Sequence, residues 1–209
     1  AAILWVGWYG FNGGSALAAS GGAGMALFVT HIAASAGALT WMSCEWIKFG
    51  KPSGLGIVTG MVAGLGTITG AAGVVGPAGA LIVGVLAGLV CFYMTQLIKK
   101  TLKIDDSLDV FPVHGVGGIL GTFLAGIFCS PNLGVFSGLG YAAGHDSIAS
   151  QLGIQVLGIV VIGVYTAVLT WGLLKLTAVL THGLRVTDDE EREGLDLVHH
   201  EERGYDLNK

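Results

Sequence analysis

A histidine inside a long uncharged segment is the residue of this sequence that most directly indicates chemistry. His114 follows three carboxylates in the stretch "DDSLDVFPVHGVGG", which runs from Asp105 to Gly118. Desolvation favours the neutral form of imidazole, and a neutral ring offers one hydrogen-bond donor and one acceptor. Such a ring suits a small polar molecule better than a bare cation, so we predict that His114 lines a pathway. A core histidine bonded to a neighbouring helix is the alternative.

The start of the helix that carries His114 decides how far the ring lies from water. A helix that begins near Asp106 would place His114 about 12 Å along its axis, near the centre of a bilayer. Asp105 or Asp106 would then cap the start of that helix. The glycines in the following run, "HGVGGILGTFLAG", predict close approach of neighbouring helices and room beside the ring.

Aromatic residues followed by a hydroxyl form a second candidate cluster. Trp8, Tyr9 and Phe11 precede Ser15 in the stretch "WYGFNGGS". In a functional interpretation Phe11 obstructs a pathway near its outer end, and Ser15, about 6 Å further out, meets solute from water. Aromatic faces beside a hydroxyl attract a small cation. An aromatic belt at the membrane interface is the alternative.

The composition places both clusters in a membrane protein. Of the 209 residues, 53% are hydrophobic and 11% are charged, and the mean hydropathy is +0.74. The 47 residues between Lys51 and Lys99 contain no charged side chain. As one helix they would extend about 70 Å, more than twice the roughly 30 Å hydrocarbon core. This segment therefore crosses twice, with a break at Gly73, Gly76 and Pro77.

Continuous apolar runs predict an all-α, polytopic membrane bundle of six transmembrane helices. The predicted spans are residues 1–18, 23–47, 54–72, 77–98, 110–128 and 148–184. Lysines occur in the loops after the second and fourth spans and Arg185 follows the sixth, which predicts that both ends of the chain are cytoplasmic. The last span exceeds one crossing, so we expect it to tilt or to project into the cytoplasm.

The composition changes after Arg185. Residues 186–209 contain nine acidic and three basic residues. We therefore divide the chain into a transmembrane region, residues 1–185, and a cytoplasmic tail, residues 186–209. The tail is either a solvated, disordered end or a docking element.

The remaining reactive residue types predict no further site. Cys44, Cys91 and Cys129 lack metal-binding spacing and are expected to be small core residues. His31 is expected to pack between helices, bonded to backbone or a neighbour, with a place in the pathway as the alternative. The other histidines are expected to be exposed or structural. We expect no metal, cofactor or nucleic-acid partner. An intramembrane enzyme with His114 and Asp109 as an acid–base pair is a weaker alternative, because no second nucleophile or metal ligand appears at depth.

Three stretches resemble a known family. They are "WVGWYGFNGGS", "THIAASAGALTWMSCEWIKFGKPSGLGIVTGMVAGL" and "DDSLDVFPVHGVGGILGTFLAGIF". They resemble the second half of an ammonium transporter of the Amt/Mep/Rh superfamily, in particular its bacterial Amt branch, over nearly all of residues 1–185. The resemblance implies a subunit of eleven helices, built from two inverted five-helix repeats and a last long helix. It also implies a homotrimer in the bacterial inner membrane with a pore in each subunit.

The resemblance further implies roles for individual pore residues. His114 matches one member of a hydrogen-bonded pair of pore histidines, one from each repeat. Phe11 matches one of two stacked phenylalanines that close the outer side, and Trp8 and Val110 match residues that line the pore. The six predicted spans would be the second repeat and the last helix. The first half of the subunit, with the other histidine, is missing, so this chain alone should not conduct.

The resemblance implies a route for the solute and a regulator. Ser15 matches the hydroxyl of an external ammonium site, and Asp106 matches the acidic residue ahead of the pore histidine. Ammonium would be recruited outside, lose its proton, and pass the histidine pair as ammonia. The tail resembles a docking element for PII signal-transduction proteins, although "LVHHEERGYDLNK" matches only loosely. An ammonium sensor, or a carrier of another small neutral solute, is the alternative within the family.

Overall fold

The computed structural model describes residues 1–204, and the regular secondary structure in that range is entirely helical. Residues 205–209, the end of the stretch compared with a docking element, lie outside the described residues. The α-helices are α1 (Ala2–Gly14), α2 (Gly21–Phe49), α3 (Gly54–Thr69), α4 (Pro77–Gln96), α5 (Gly117–Phe128), α6 (Ile148–Leu180), α7 (Asp188–Glu193) and α8 (Leu195–His200). π-Helical turns continue α4 (Leu97–Thr101) and precede α5 (Phe111–Val116). The predicted all-α class is confirmed.

Each of the six predicted spans contains one helix, but the helices differ in length. Four stretches of the described chain are long and apolar enough to cross a membrane: Gly21–Phe49, Pro77–Thr101, Phe111–Phe128 and Ile148–Leu180. The first helix has 13 residues and the third has 16, which at 1.5 Å per residue is shorter than a roughly 30 Å hydrocarbon core. The first span in particular ends four residues earlier than predicted. The chain is a multi-pass membrane protein, and the count of six crossings remains a prediction.

Local sequence explains where the central helices begin and end. Ser20 and Ser53 cap the starts of α2 and α3, because their side chains accept hydrogen bonds from Ala23 N and Gly56 N. Pro77 occupies the first turn of α4, where its missing N–H costs nothing. Gly50 ends α2 with a left-handed φ of 79°, which glycine adopts without steric cost.

Glycines let α3 and α4 approach α2 at backbone distance. A Cβ added at Gly60 of α3 or at Gly88 of α4 would lie 2.7 Å from the Gly37 carbonyl oxygen. Gly64 of α3 and Gly84 of α4 meet the backbone of Ala33 one turn away. Because the side chain of glycine is a single hydrogen, the backbones of the three helices can come into contact. The contact gains dispersion energy, although no hydrophobic driving force acts between helices in lipid. Because one face of α3 packs against α2, only its other faces remain for contact with the other helices.

The chain divides within α6 into two compact units, Ala1–Ile159 and Val160–Lys209. The first unit holds α1 to α5 and both candidate clusters. In the described part of the second unit, α7 begins with a capping box formed by Thr187 and Glu190. Helix α6 contains 33 residues, about 50 Å at 1.5 Å per residue, which exceeds one crossing. The predicted boundary between membrane region and tail at residue 185 remains a prediction.

Candidate functional site

The helix that carries His114 begins close to the predicted start of its apolar span, residue 110, and not near Asp106. Asp106 lies in the loop, and its two carboxylate oxygens accept hydrogen bonds from Val110 N and Phe111 N, both at 2.9 Å. Of the two candidate aspartates, Asp106 is therefore the one that caps the helix. Helical structure starts at Phe111, so His114 lies in the first turn, about 5 Å along the axis. The prediction of a start near Asp106 and a depth of about 12 Å is wrong.

The preceding loop is held by an ion pair that the sequence did not indicate. Lys99 Nζ, in the π-helical turn after α4, lies 2.7 Å from Asp109 Oδ1. Asp109 has a φ of 56°, a left-handed conformation that is uncommon outside glycine. A turn with this backbone cannot continue a helix toward Asp106. The ion pair and the turn therefore keep the residues between Asp106 and Asp109 out of the helix, in agreement with the apolar span predicted from residue 110.

His114 lies within a π-helical turn, Phe111–Val116, rather than in a regular α-helix. Such turns are uncommon and recur at functional sites, because they turn one side chain out of the regular helical register. The ring is exposed on the surface of the first unit. It borders a cleft of about 480 Å³ lined by Ile98, Ile104, Asp105, Asp106, Val110, Phe111, His114 and Gly115.

Space beside the imidazole comes from α3 as well as from Gly115, which lines the same cleft as His114. A Cβ added at Gly66 of α3 would lie 3.9 Å from His114 Nδ1. Gly117 instead packs closely on α3, since an added Cβ would lie 2.9 Å from Thr67 Oγ1, and Gly121 meets the Thr67 carbonyl. The predicted close helix approach is confirmed for Gly117 and Gly121, and Gly115 borders the cleft beside His114.

Gly66 had a signal in the sequence that was missed. Glycines at positions 56, 60 and 64 of α3 form one row with four-residue spacing, and positions 66 and 70 form a second row. Residues four apart share a helix face. The first row meets α2, and the second row meets the residues around His114 and Thr122. Two such rows indicate that α3 packs on two sides.

The aromatic cluster of α1 also attaches to α3. Trp8 Nε1 donates a hydrogen bond to Thr69 Oγ1 at 2.8 Å, and the Thr69 hydroxyl donates to the Leu65 carbonyl oxygen at 2.8 Å. Phe11 packs edge-on against Trp8 with ring centroids 6.3 Å apart, and its side chain is 62% exposed. The partner Thr69 had no signal in the sequence, because a threonine in an apolar helix usually bonds its own backbone.

One face of α3 therefore brings the two predicted clusters together. Thr69 contacts Trp8, and Gly66, three residues earlier, faces His114. Residues three apart lie on the same side of a helix, about 4.5 Å apart along its axis. Phe11, Trp8 and His114 thus lie along one side of the first unit, and we call the surface formed by these three residues the wall. Val110 is exposed at the border of the same cleft.

Ser15 lies beyond Phe11, at the C-terminal end of α1. It caps the C-terminus of α1 and its hydroxyl donates a hydrogen bond to the Phe11 carbonyl oxygen at 2.7 Å. The hydroxyl proton is thereby used, while the oxygen lone pairs remain free to accept. The side chain is exposed. This arrangement can bind a group that donates hydrogen bonds.

The other predicted residues fit structural roles. The Tyr9 hydroxyl and His31 Nδ1 share a hydrogen bond of 2.6 Å, and Trp5 packs on the same imidazole at 5.3 Å, so the neighbour expected for His31 is present. His145 Nδ1 bonds Ser150 Oγ at 2.7 Å in the loop region before α6. Cys91 and Cys129 are buried and Cys44 is partly buried, as expected for small core residues. Within residues 1–204 no group of three His, Cys, Asp or Glu side chains could hold a metal.

Comparison with known proteins places this arrangement in a family. The sequence pattern of the Ammonium Transporter Family matches residues 1–205. The chain belongs to this family. The family consists of transporters and channels, which are not enzymes, so the alternative of an intramembrane acid–base enzyme is set aside.

Individual relatives agree with the family match. The chain is 45% identical to an ammonium transporter of Aquifex aeolicus over 99% of its own length and 47% of that protein. It is 44% identical to the ammonium transporter Amt1 of Archaeoglobus fulgidus over 98% of its own length and 50% of that protein. The chain therefore spans about half the length of these relatives.

Solved structures of the family share the fold. A sensor Amt protein superposes with a TM-score of 0.80 at 33% identity, covering 94% of this chain and 46% of that one. Mep2 of Saccharomyces cerevisiae superposes with a TM-score of 0.79 at 35% identity, covering 90% and 42%. The helical arrangement described above is thus the arrangement found in half of an Amt or Mep subunit.

Proposed function

We propose that this chain supplies one half of a pore that carries ammonia, taken from ammonium, across a cell membrane. The observation that carries the proposal is the shared wall on α3, along which Phe11, Trp8 and His114 follow one another. Membership of the ammonium transporter family supports the choice of solute. The complete subunit adds a five-helix half, whose own histidine bonds His114 and whose phenylalanine stacks on Phe11.

Selectivity in this proposal arises from deprotonation. Ammonium and potassium have similar size and equal charge, so a rigid hole would not separate them. A dry, uncharged pore penalises both ions but admits neutral ammonia once a proton has left. Two carboxylates, Asp105 and Asp106, line the cleft, and the hydrogen bonds from Val110 N and Phe111 N hold the Asp106 carboxylate at the start of the helix. The wall beyond Phe11 then offers a solute the neutral imidazole of His114.

Recruitment takes place at Ser15. An ammonium ion has four N–H donors and no acceptor, and the Ser15 oxygen retains acceptor capacity after donating to Phe11. The exposed Phe11 ring beside it adds a cation–π attraction of about 0.5–1 kcal/mol at an exposed site. The ion loses its proton at or below Phe11, and the proton is either returned or carried separately.

The orientation of the chain in this proposal comes from the positive-inside pattern, and its assembly and membrane come from the family. The subunits form a homotrimer in a bacterial inner membrane, with both ends of this chain cytoplasmic. The acidic tail docks a PII-type signal protein that blocks the cytoplasmic exit when nitrogen is plentiful. Capture of such a protein by the full-length chain, and its loss from a chain that ends at Arg185, would support this regulation. Equal capture by both chains would contradict it.

A second candidate function is ammonium sensing. The support is the similarity to the sensor Amt protein, at a TM-score of 0.80. A sensor binds ammonium and changes a signal without carrying flux. Transport by the complete protein distinguishes the two functions, because a sensor binds methylammonium and does not accumulate it.

Uptake by His114 variants tests the proposed pore. The complete subunit, the His114→Ala variant and a matched His145→Ala control are compared for methylammonium uptake with and without excess potassium. His145 bonds Ser150 near the start of α6 and lies off the proposed wall. We expect the control to transport selectively and the His114 variant to lose either transport or discrimination against potassium. Unchanged selective uptake in the His114 variant would refute the proposed route.

A further inference from the structure

Helix α1 is attached to α2 by hydrogen bonds between side chains. All residues of α1, Ala2–Gly14, are described, and among them Asn12 is the one that is buried. Asn12 Nδ2 donates a hydrogen bond to Thr30 Oγ1 at 2.9 Å, and the Thr30 hydroxyl donates to the Ala26 carbonyl oxygen at 2.6 Å. No hydrophobic driving force acts between helices in lipid, so hydrogen bonds of this kind have a large share in where α1 lies.

A second contact of the same kind lies beside the first. The Tyr9 hydroxyl shares a hydrogen bond of 2.6 Å with Nδ1 of His31, the residue that follows Thr30. Trp5 and Tyr9 both pack on this imidazole, with ring centroids 5.3 Å and 6.3 Å from its own. Tyr9 and Asn12 are three residues apart, so they lie on one side of α1 and meet two successive residues of α2.

Contacts on two sides determine how α1 is rotated about its own axis. Trp8 donates a hydrogen bond to Thr69 of α3, whereas Tyr9, the next residue, bonds His31 of α2. Successive residues of a helix point about 100° apart, so the two bonds hold α1 from different directions. The bond between Trp8 and Thr69 alone would leave α1 free to turn about that point.

From this arrangement we infer that Tyr9 and His31 are positioning residues for the recruitment site proposed at Phe11 and Ser15. Their bond fixes the rotation of α1 and with it the orientation of the Phe11 ring. Ser15 follows, because its hydroxyl donates to the Phe11 carbonyl oxygen. Tyr9 and His31 act through α1 and do not contact the solute. The inference rests on the proposed function, since it concerns the affinity of that site for its solute.

Variants that remove and restore this one hydrogen bond test the inference. Tyr9→Phe removes the hydroxyl and keeps the ring. His31→Leu removes the ring nitrogen, and His31→Asn restores an acceptor, because Asn Oδ1 and His Nδ1 are each bonded to Cγ. Tyr141→Phe is the matched control, since the Tyr141 hydroxyl donates to Ser130 Oγ at 2.7 Å in the loop before α6.

Two measurements are made on each variant of the purified complete subunit. Titration calorimetry gives the dissociation constant of methylammonium, and mass spectrometry gives the amide hydrogen exchange of α1. We expect Tyr9→Phe and His31→Leu each to bind methylammonium about fivefold more weakly and to exchange faster in α1. Loss of one hydrogen bond, about 1 kcal/mol, would leave α1 in the binding orientation about a fifth of the time, and affinity falls by that fraction. His31→Asn and the Tyr141 control should stay close to the wild type.

A contact that only adds stability would give a different result. Unchanged exchange in α1 would overturn the inference, because the bond would then not hold the helix. Faster exchange with unchanged affinity, or affinity that does not recover in His31→Asn, would overturn it as well. A wild-type subunit that does not bind methylammonium would refute the proposed function, whereas wild-type binding with unchanged Tyr9 and His31 variants would refute this inference alone.

Discussion

Two glycines of α3, two positions apart, should respond in opposite ways to the addition of one methyl group. At Gly64 an added Cβ would overlap the Ala33 carbonyl oxygen and lie 2.9 Å from Ala34 Cα. At Gly66 it would lie 3.8 Å from the Val113 carbonyl oxygen, which is ordinary van der Waals contact. The perturbation is therefore Gly64→Ala, and Gly66→Ala is its matched control on the same helix.

The expected magnitudes follow from two opposing effects. Replacing glycine by alanine inside a helix favours the helix by about 1 kcal/mol. Against backbone atoms, which cannot rotate away, the added methyl should cost about 3 kcal/mol, the upper part of the range for overpacking. Gly64→Ala should thus destabilise the protein by about 2 kcal/mol, whereas Gly66→Ala should stabilise it by up to about 1 kcal/mol.

Thermal unfolding of the full-length protein in detergent measures the difference. For a chain of this size about 1 kcal/mol shifts the midpoint by about 2–4 °C, so the Gly64 variant should unfold about 4–8 °C below the wild type. The Gly66 variant should unfold at or above the wild-type midpoint. A Gly64 variant as stable as the wild type would refute the close contact of α3 with α2. A Gly66 variant destabilised to the same extent would refute the ordinary contact distances found between that position and the residues around His114.

Three further predictions concern hydrogen bonds. Asp106→Ala removes the acceptor of two backbone amides and should lower the stability of the start of the helix that carries His114 by about 1–3 kcal/mol. Amide hydrogen exchange there should become faster, and unchanged exchange would contradict the cap. Trp8→Phe removes the donor and Thr69→Val the acceptor of the hydrogen bond between them, and Thr69→Val also removes the bond to the Leu65 carbonyl oxygen. A double-mutant cycle on unfolding cancels that second loss and should give a coupling of about 1 kcal/mol, and zero coupling would contradict the contact. The pKa of Glu190 lies below its usual value of 4.5 because the backbone N–H and hydroxyl of Thr187 donate to its carboxylate. The cap of α7 is therefore complete above this pH and is lost as the pH falls through the lower pKa of the folded state. Amide chemical shifts of α7 should follow this titration in the wild type, and an identical titration in Thr187→Ala would refute the assignment.

The apolar pattern determined the class and the approximate helix positions without tertiary information. Long uncharged runs must be helical in a bilayer because every backbone polar group needs an internal partner. The breaks at Ser53 and at Gly76 with Pro77 were also local, since capping and the missing proline N–H act within one turn. The family could be identified from the same residues, because its motifs are long and ordered.

The depth of His114 could not be obtained in that way. The apolar span was predicted from residue 110, close to the observed helix start at Phe111, but the depth was reckoned from a helix start near Asp106. An ion pair with Lys99, from the end of another helix, holds the intervening turn at Asp109. Such a contact joins residues from two helices, and hydropathy has no information on which side chains meet across a loop.

The sequence by itself determined that a histidine, two aromatic residues and a serine hydroxyl occur in apolar segments. Only the tertiary structure decided that they share one wall, because Thr69 and Gly66 of α3 hold Trp8 and face His114 from a single helix side. Periodicity fixes which residues of one helix share a face. Which face meets which neighbour depends on side-chain volume, and here the glycine rows of α3 let α2 approach on one side and leave space for the imidazole on the other.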